Sequence, residues 1–135
     1  MRPTGKELPD TGYLHSRLIL RDDGVLIWRE KEGEGRIINS WNAKHAGKVA
    51  GSLDFMGYVV VRLNGQNYKA HRIIYALVNG SCPADLDIDH IDKDSRNNSP
   101  ANLRAVTSEF NMSRSRNEWG ARGKQPRGKY RTLAR

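Results

Sequence analysis

The sequence predicts an α+β protein: an antiparallel β-region carrying one helix, followed by a strand–loop–strand–helix (ββα) unit and a basic tail. Three observations carry that expectation. Two β-rich regions each bracket a turn signal, Arg21-Asp22-Asp23-Gly24 and Asn64-Gly65. Residues 70–79 then switch to a helical period and stop at Gly80. Finally, a polar loop separates two short apolar runs, ahead of a capped helix start.

Taken in order, residues 1–12 contain Pro3, Gly5, Pro9 and Gly12 and read as an irregular lead-in. Residues 15–20 and 25–29 read as the arms of a hairpin. Residues 30–50, charged and carrying Gly33, Gly35 and Gly47, read as a loop with one short strand, anchored by Ile37, Ile38 and Trp41. Gly57 to Leu63, with Tyr58-Val59-Val60-Val61, and Asn67 to Ala70 flank Asn64-Gly65, the strongest short hairpin signal. Ile73, Ile74, Leu77 and Val78 share helical spacing, so the helix should lie on the preceding sheet, with Asn79-Gly80 as its C-cap. Leu86 to Asp92 and Leu103 to Val106 read as strands. Thr107 or Ser108 can cap the next helix, and Glu109 favours its positive end. Beyond Asn117 the chain turns basic and glycine-rich. The expected division is 1–50, 51–80, 81–117 and a tail over 118–135.

At 135 residues and 37% hydrophobic content, part of the chain is expected to be exposed or to order only on binding. The net charge of +8 points to a nucleic acid before an acidic protein or a membrane surface. The sign is uneven. Asp85, Asp87, Asp89, Asp92 and Asp94 dominate residues 81–107, whereas residues 108–135 hold eight basic side chains against Glu109 and Glu118. Carboxylates gather a cation, and distant arginines and lysines gather a polyanion. Cys82 is the sole cysteine, which excludes an internal disulfide and a four-cysteine zinc site. No apolar run is long enough to span a membrane and no signal-peptide pattern is seen, so the cytoplasm is expected.

The chemistry concentrates at Asp89-His90, Asn102-Leu103-Arg104 and Asn111, around the loop 93–100. Phosphodiester hydrolysis needs a base for water, a cation for the phosphate, and polar groups that hold both in place. His90, neutral at cellular pH, suits the first role. Asp89 and Asn111 supply oxygen donors for a hard cation. Because Asp89 and His90 are neighbours, they can serve one phosphate only if the strand twists or ends there. A core histidine is the competing reading of His90. His71, at a helix start beside an apolar face, reads as structural, and Asn97 and Asn98 as loop-shaping. Alternating Asp85, Asp87 and Asp89 do not make an EF-hand, because His90 and Arg96 stand where Gly and Glu are needed.

The run from His71-Arg72-Ile73-Ile74-Tyr75 through Gly80, Asp89-His90-Ile91-Asp92, Asn98, Asn102-Leu103-Arg104, Thr107 and Asn111 resembles the HNH endonucleases. The small phage and intron-encoded homing and nicking types are most similar. With Gly24 to Arg29 and Gly57 to His71 upstream, the likeness spans residues 14–117. It implies a ββα-metal finger, with His90 as general base and Asn102 orienting it. Asp89 and Asn111 would hold Mg²⁺, with Mn²⁺ as a substitute. Many members carry histidine at the last position, so Asn111 makes this an HNN variant, which favours Mg²⁺ or Mn²⁺ over zinc or nickel. The implied partner is double-stranded DNA, contacted by Arg114, Arg116, Arg122, Lys124, Arg127, Lys129 and Arg131. A monomer nicking one strand per binding event, with 5′-phosphate and 3′-hydroxyl products, is expected. The alternative is a catalytically inactive DNA-binding protein of the same fold.

Overall fold

The computed structural model describes residues 7–111, and its first element is a helix where the sequence suggested a lead-in and a strand. Helix α1 (Thr11–Arg17) starts at Asp10, whose side chain accepts from the Gly12 amide at 3.0 Å. Leu14, Arg17 and Leu18, the last two three and four residues after the first, are all buried, so the period of burial here is helical. Only Leu18–Leu20 (β1) remains of the first expected strand. It pairs antiparallel with β2 (Leu26–Trp28).

A second correction follows. Residues 36–45, expected as loop, form helix α2 (Arg36–His45). Its glycines lie outside it, Gly35 at the N-cap and Gly47 beyond the end. None of its residues is fully buried, so it is held by side-chain stacking. Trp41 meets Trp28 edge-on at 5.5 Å, and the Arg17 guanidinium lies 4.8 Å from the Trp41 ring. Asn42 exchanges two hydrogen bonds with the Lys31 backbone, at 2.8 and 3.0 Å.

The central sheet runs β3 (Ser52–Leu53), β4 (Val59–Leu63), β5 (Gln66–Lys69), all antiparallel. Asn64 and Gly65 both adopt positive φ, 51° and 77°, the two-residue turn their dipeptide announces. Helix α3 (Ala70–Asn79) follows at once and ends on left-handed Gly80, whose amide returns to Ala76 O at 2.8 Å. Its Ile73 and Ile74 join Val61, Leu63 and Tyr68 in a core that also takes Leu14, Leu18, Leu26, Ile88 and Leu103. Each such burial is worth about 1.5–3 kcal/mol. The ββα unit therefore shares its core with the N-terminal region.

Strands β6 (Asp87–His90) and β7 (Leu103–Val106) pair antiparallel, joined by a polar loop and a 3₁₀ turn at Pro100–Asn102. Thr107 Oγ1 accepts from the Phe110 amide at 3.1 Å, and residues 108–111 are helical. The class is α+β, as expected. No helix among the described residues is long and apolar enough to cross a membrane.

Candidate active site

Strand register assembles the site. The β6–β7 pairing sets Asp89 opposite Arg104 and His90 opposite Leu103. From the other side, α3 delivers His71 and Arg72. Buried Arg72 donates to Leu86 O at 2.8 Å and Pro83 O at 2.7 Å, pinning the segment that enters β6. The strand ends at His90, as the neighbouring Asp-His pair requires. Beyond it, Ile91 N bonds Asn102 O at 2.8 Å and Lys93 turns at φ 68°. Asp89 and His90, 6% and 7% exposed, consequently line one cleft of about 120 Å³ with Met56, Tyr58, Lys93 and Asn111.

His90 Nε2 lies 2.8 Å from Asn98 Oδ1. An amide oxygen only accepts, so Nε2 carries the hydrogen and the Nδ1 lone pair is left to take a proton. Burial holds the His90 pKa below its ordinary value, partly opposed by the Asn98 bond and by Asp89, Asp92 and Asp94. The ring is therefore neutral at neutral pH. The His71 ring stands edge-on to it at 4.8 Å. Burial, then His90, Arg72 and Lys69, push the His71 pKa down to about 3, so it cannot compete for protons. His71 is thus a neutral, buried neighbour of His90.

Asn102, expected to orient the histidine, makes its hydrogen bonds to the loop that follows His90. Its Nδ2 donates to Asp92 Oδ1 at 2.9 Å and to Asn97 O at 2.8 Å, and its Oδ1 accepts from Asp92 N at 3.0 Å. It ties the loop closed, while Asn98 bonds His90. Asn98 is 4% exposed, and nothing local separates it from the turn asparagine Asn97 beside it. Its seat comes from the first hairpin. Gly24, at φ 86°, packs so closely that a Cβ there would come within 2.2 Å of the Asn98 carbonyl carbon. Ser99 Oγ also donates to Asp23 O at 3.2 Å. Asp92 titrates below the usual carboxylate range: burial raises it, but hydrogen bonds from Asn97, the Asp94 backbone and Asn102 outweigh that.

The oxygen donors occupy the same cleft. Asp89 Oδ2 accepts from Arg104 Nε at 3.1 Å. Asn111 Nδ2 donates to Asp87 Oδ2 at 3.1 Å, which engages its nitrogen and keeps its carbonyl as the donor for a cation. Among the described residues no three His, Cys, Asp or Glu side chains are grouped to hold a metal. A dedicated protein cage is thus not what these residues build. One carboxylate and one carboxamide are oxygen ligands of the kind a hard divalent ion takes. The Cys82 thiol, packed against the core, is pushed up by burial and is no softer ligand or nucleophile. Arg114, Arg116, Arg122, Lys124, Arg127, Lys129 and Arg131 lie outside the described residues.

Residues 68–113 match the family model for the HNH endonucleases, so the resemblance read from the sequence holds over the segment that carries this site. An uncharacterized HNH endonuclease of Acanthamoeba polyphaga mimivirus is 45% identical over 58 residues, 40% of this chain and 31% of the viral protein. The solved HNH homing endonuclease I-HmuI, described for its DNA binding and cleavage, superposes over 96% of this chain and 66% of its own, with a TM-score of 0.55. At 21% identity that likeness is one of fold. The chain spans about a third of the viral relative's length.

Proposed function

We propose that this chain, which carries the HNH segment at residues 68–113, is a metal-dependent endonuclease that nicks double-stranded DNA. The observation that carries the reading is the 2.8 Å bond from His90 to Asn98, on the same cleft as Asp89 and Asn111. It supports a base with a defined tautomer beside two oxygen donors. His90 Nδ1 takes the proton of a water whose oxygen attacks phosphorus, and the bond to the 3′ oxygen breaks. Solvent protonates the departing oxygen, giving 5′-phosphate and 3′-hydroxyl ends. Asp89 and Asn111 would hold a divalent ion, Mg²⁺ or Mn²⁺, which when bound neutralises charge on the phosphate and leaving oxygen. Asn98 fixes the imidazole and stabilises its protonated form. The basic side chains from Arg114 to Arg131 would contact backbone phosphates. One such site on a monomer cuts one strand per binding event.

Relaxation of supercoiled plasmid tests this. Nicked circles should accumulate with Mg²⁺ and stop with EDTA. His90→Ala, confirmed as folded by thermal melting, should lose about a hundredfold or more in rate. Cleavage that persists in EDTA, or in the variant at wild-type rate, removes the mechanism. DNA binding without any cleavage would leave the inactive DNA-binding reading.

A further inference from the structure

Phe55 and Met56 stand side by side on the turn joining β3 to β4, 93% and 59% exposed. Single exposed apolar residues are ordinary, but this pair is placed and braced. Met56 lines the cleft that holds Asp89 and His90. Phe55 lines the adjoining groove of about 760 Å³, with His71 and Asn111. Hydrogen bonds hold the turn at both ends. Asp54 Oδ1 accepts from Met56 N at 2.9 Å and Tyr58 N at 3.0 Å, while its Oδ2 pairs with Lys69 Nζ at 2.7 Å. Ser95 Oγ donates to Gly57 O at 2.7 Å, tying the turn to the loop that follows His90.

The site presents a problem of access that this turn can solve. Both Asp89 and His90 are nearly buried, and their cleft holds only about 120 Å³, the room of a few waters. The phosphates of a duplex lie on its outer rim at the spacing set by the stacked bases, so opening a base step beside the site lets one phosphate move further into so narrow a cleft. Proteins that displace strands insert Phe, Met or similar wedges between base steps, exchanging unstacking for a bent duplex.

We infer that Phe55 and Met56 form a wedge that enters a base step beside the scissile phosphate and opens the strand toward His90. This rests on the nuclease reading. A duplex carrying 2-aminopurine next to the mapped nick tests it, with Ca²⁺ in place of Mg²⁺ to hold the uncut complex. Wild type should raise 2-aminopurine fluorescence. Phe55→Ala/Met56→Ala, with an unchanged thermal midpoint, should bind without the rise and nick about tenfold or more slower. Phe55→Trp should keep both properties. An abasic site at that step, already unstacked, should restore the rate of the double variant. Wild-type nicking with no fluorescence rise, or a double variant that nicks at wild-type rate, overturns the wedge and leaves the nuclease intact. Plasmid that wild type binds but never cuts in Mg²⁺ overturns the nuclease reading, and the wedge falls with it.

Discussion

Replacing Asn98 by alanine separates the two asparagines that could orient the histidine. Asn98 is buried and its Oδ1 sits 2.8 Å from His90 Nε2. Without it, a buried N–H is left without this acceptor, at a cost of about 1–3 kcal/mol of folding free energy. Each kcal/mol lowers Tm by roughly 3–5 °C in a domain of this size. The kinetic effect adds to that. As Nδ1 takes its proton the ring becomes cationic, and a hydrogen bond to a charged group is worth about 1.5–3 kcal/mol. The variant should therefore lose about 10–100-fold in single-turnover nicking under saturating enzyme. Its ¹⁵N histidine spectrum should also lose the preference for the Nε2–H tautomer. Asn102→Ala, by contrast, removes the bonds to Asp92 and Asn97 that close the loop, so its main expected loss is in Tm. If Asn98→Ala nicks within about twofold of wild type while Asn102→Ala, still folded, shows the 10–100-fold loss, Asn102 is the orienting residue and this reasoning fails.

Gly24→Ala should damage the site from outside it. The new Cβ would collide with the Asn98 and Ser99 backbone at a position whose φ of 86° already disfavours any side chain. A loss of about 1–3 kcal/mol in urea unfolding, together with slower nicking, is expected; unchanged values would show that the hairpin does not seat the loop. Acid should also destabilise the fold through His71, whose pKa falls from 6.5 unfolded to about 3 folded. Between those values the unfolded chain binds the extra proton, so stability is full above the unfolded pKa and declines as pH falls. The contribution lost by pH 5 is about 2 kcal/mol. His71→Leu should flatten that dependence, and equal slopes for the two proteins between pH 7.5 and 5 would count against it.

What the sequence determined by itself is what neighbouring residues decide among themselves. Asn64-Gly65 reaches positive φ at little cost, so its hairpin was legible. The helical stripe through Ile73 and Ile74 and its stop at Gly80 were legible for the same local reason, as were β7 and the Asp89-His90 pair as chemistry in search of a geometry. Helices α1 and α2 were not. The first depends on a cap at Asp10 and a buried stripe that crosses into β1, and the second on Trp41 meeting Trp28 and Arg17 across the fold. Only the tertiary structure put Asn98, and not Asn102, within hydrogen-bond reach of His90, because the first hairpin packs against that asparagine's backbone. It likewise set Arg104 against Asp89 through strand register, and His71 against His90 through the docking of α3. Dihedral preferences act over a few residues and can be read along the chain. Burial and register act between residues far apart, and their free energy exists only once the chain has closed on itself.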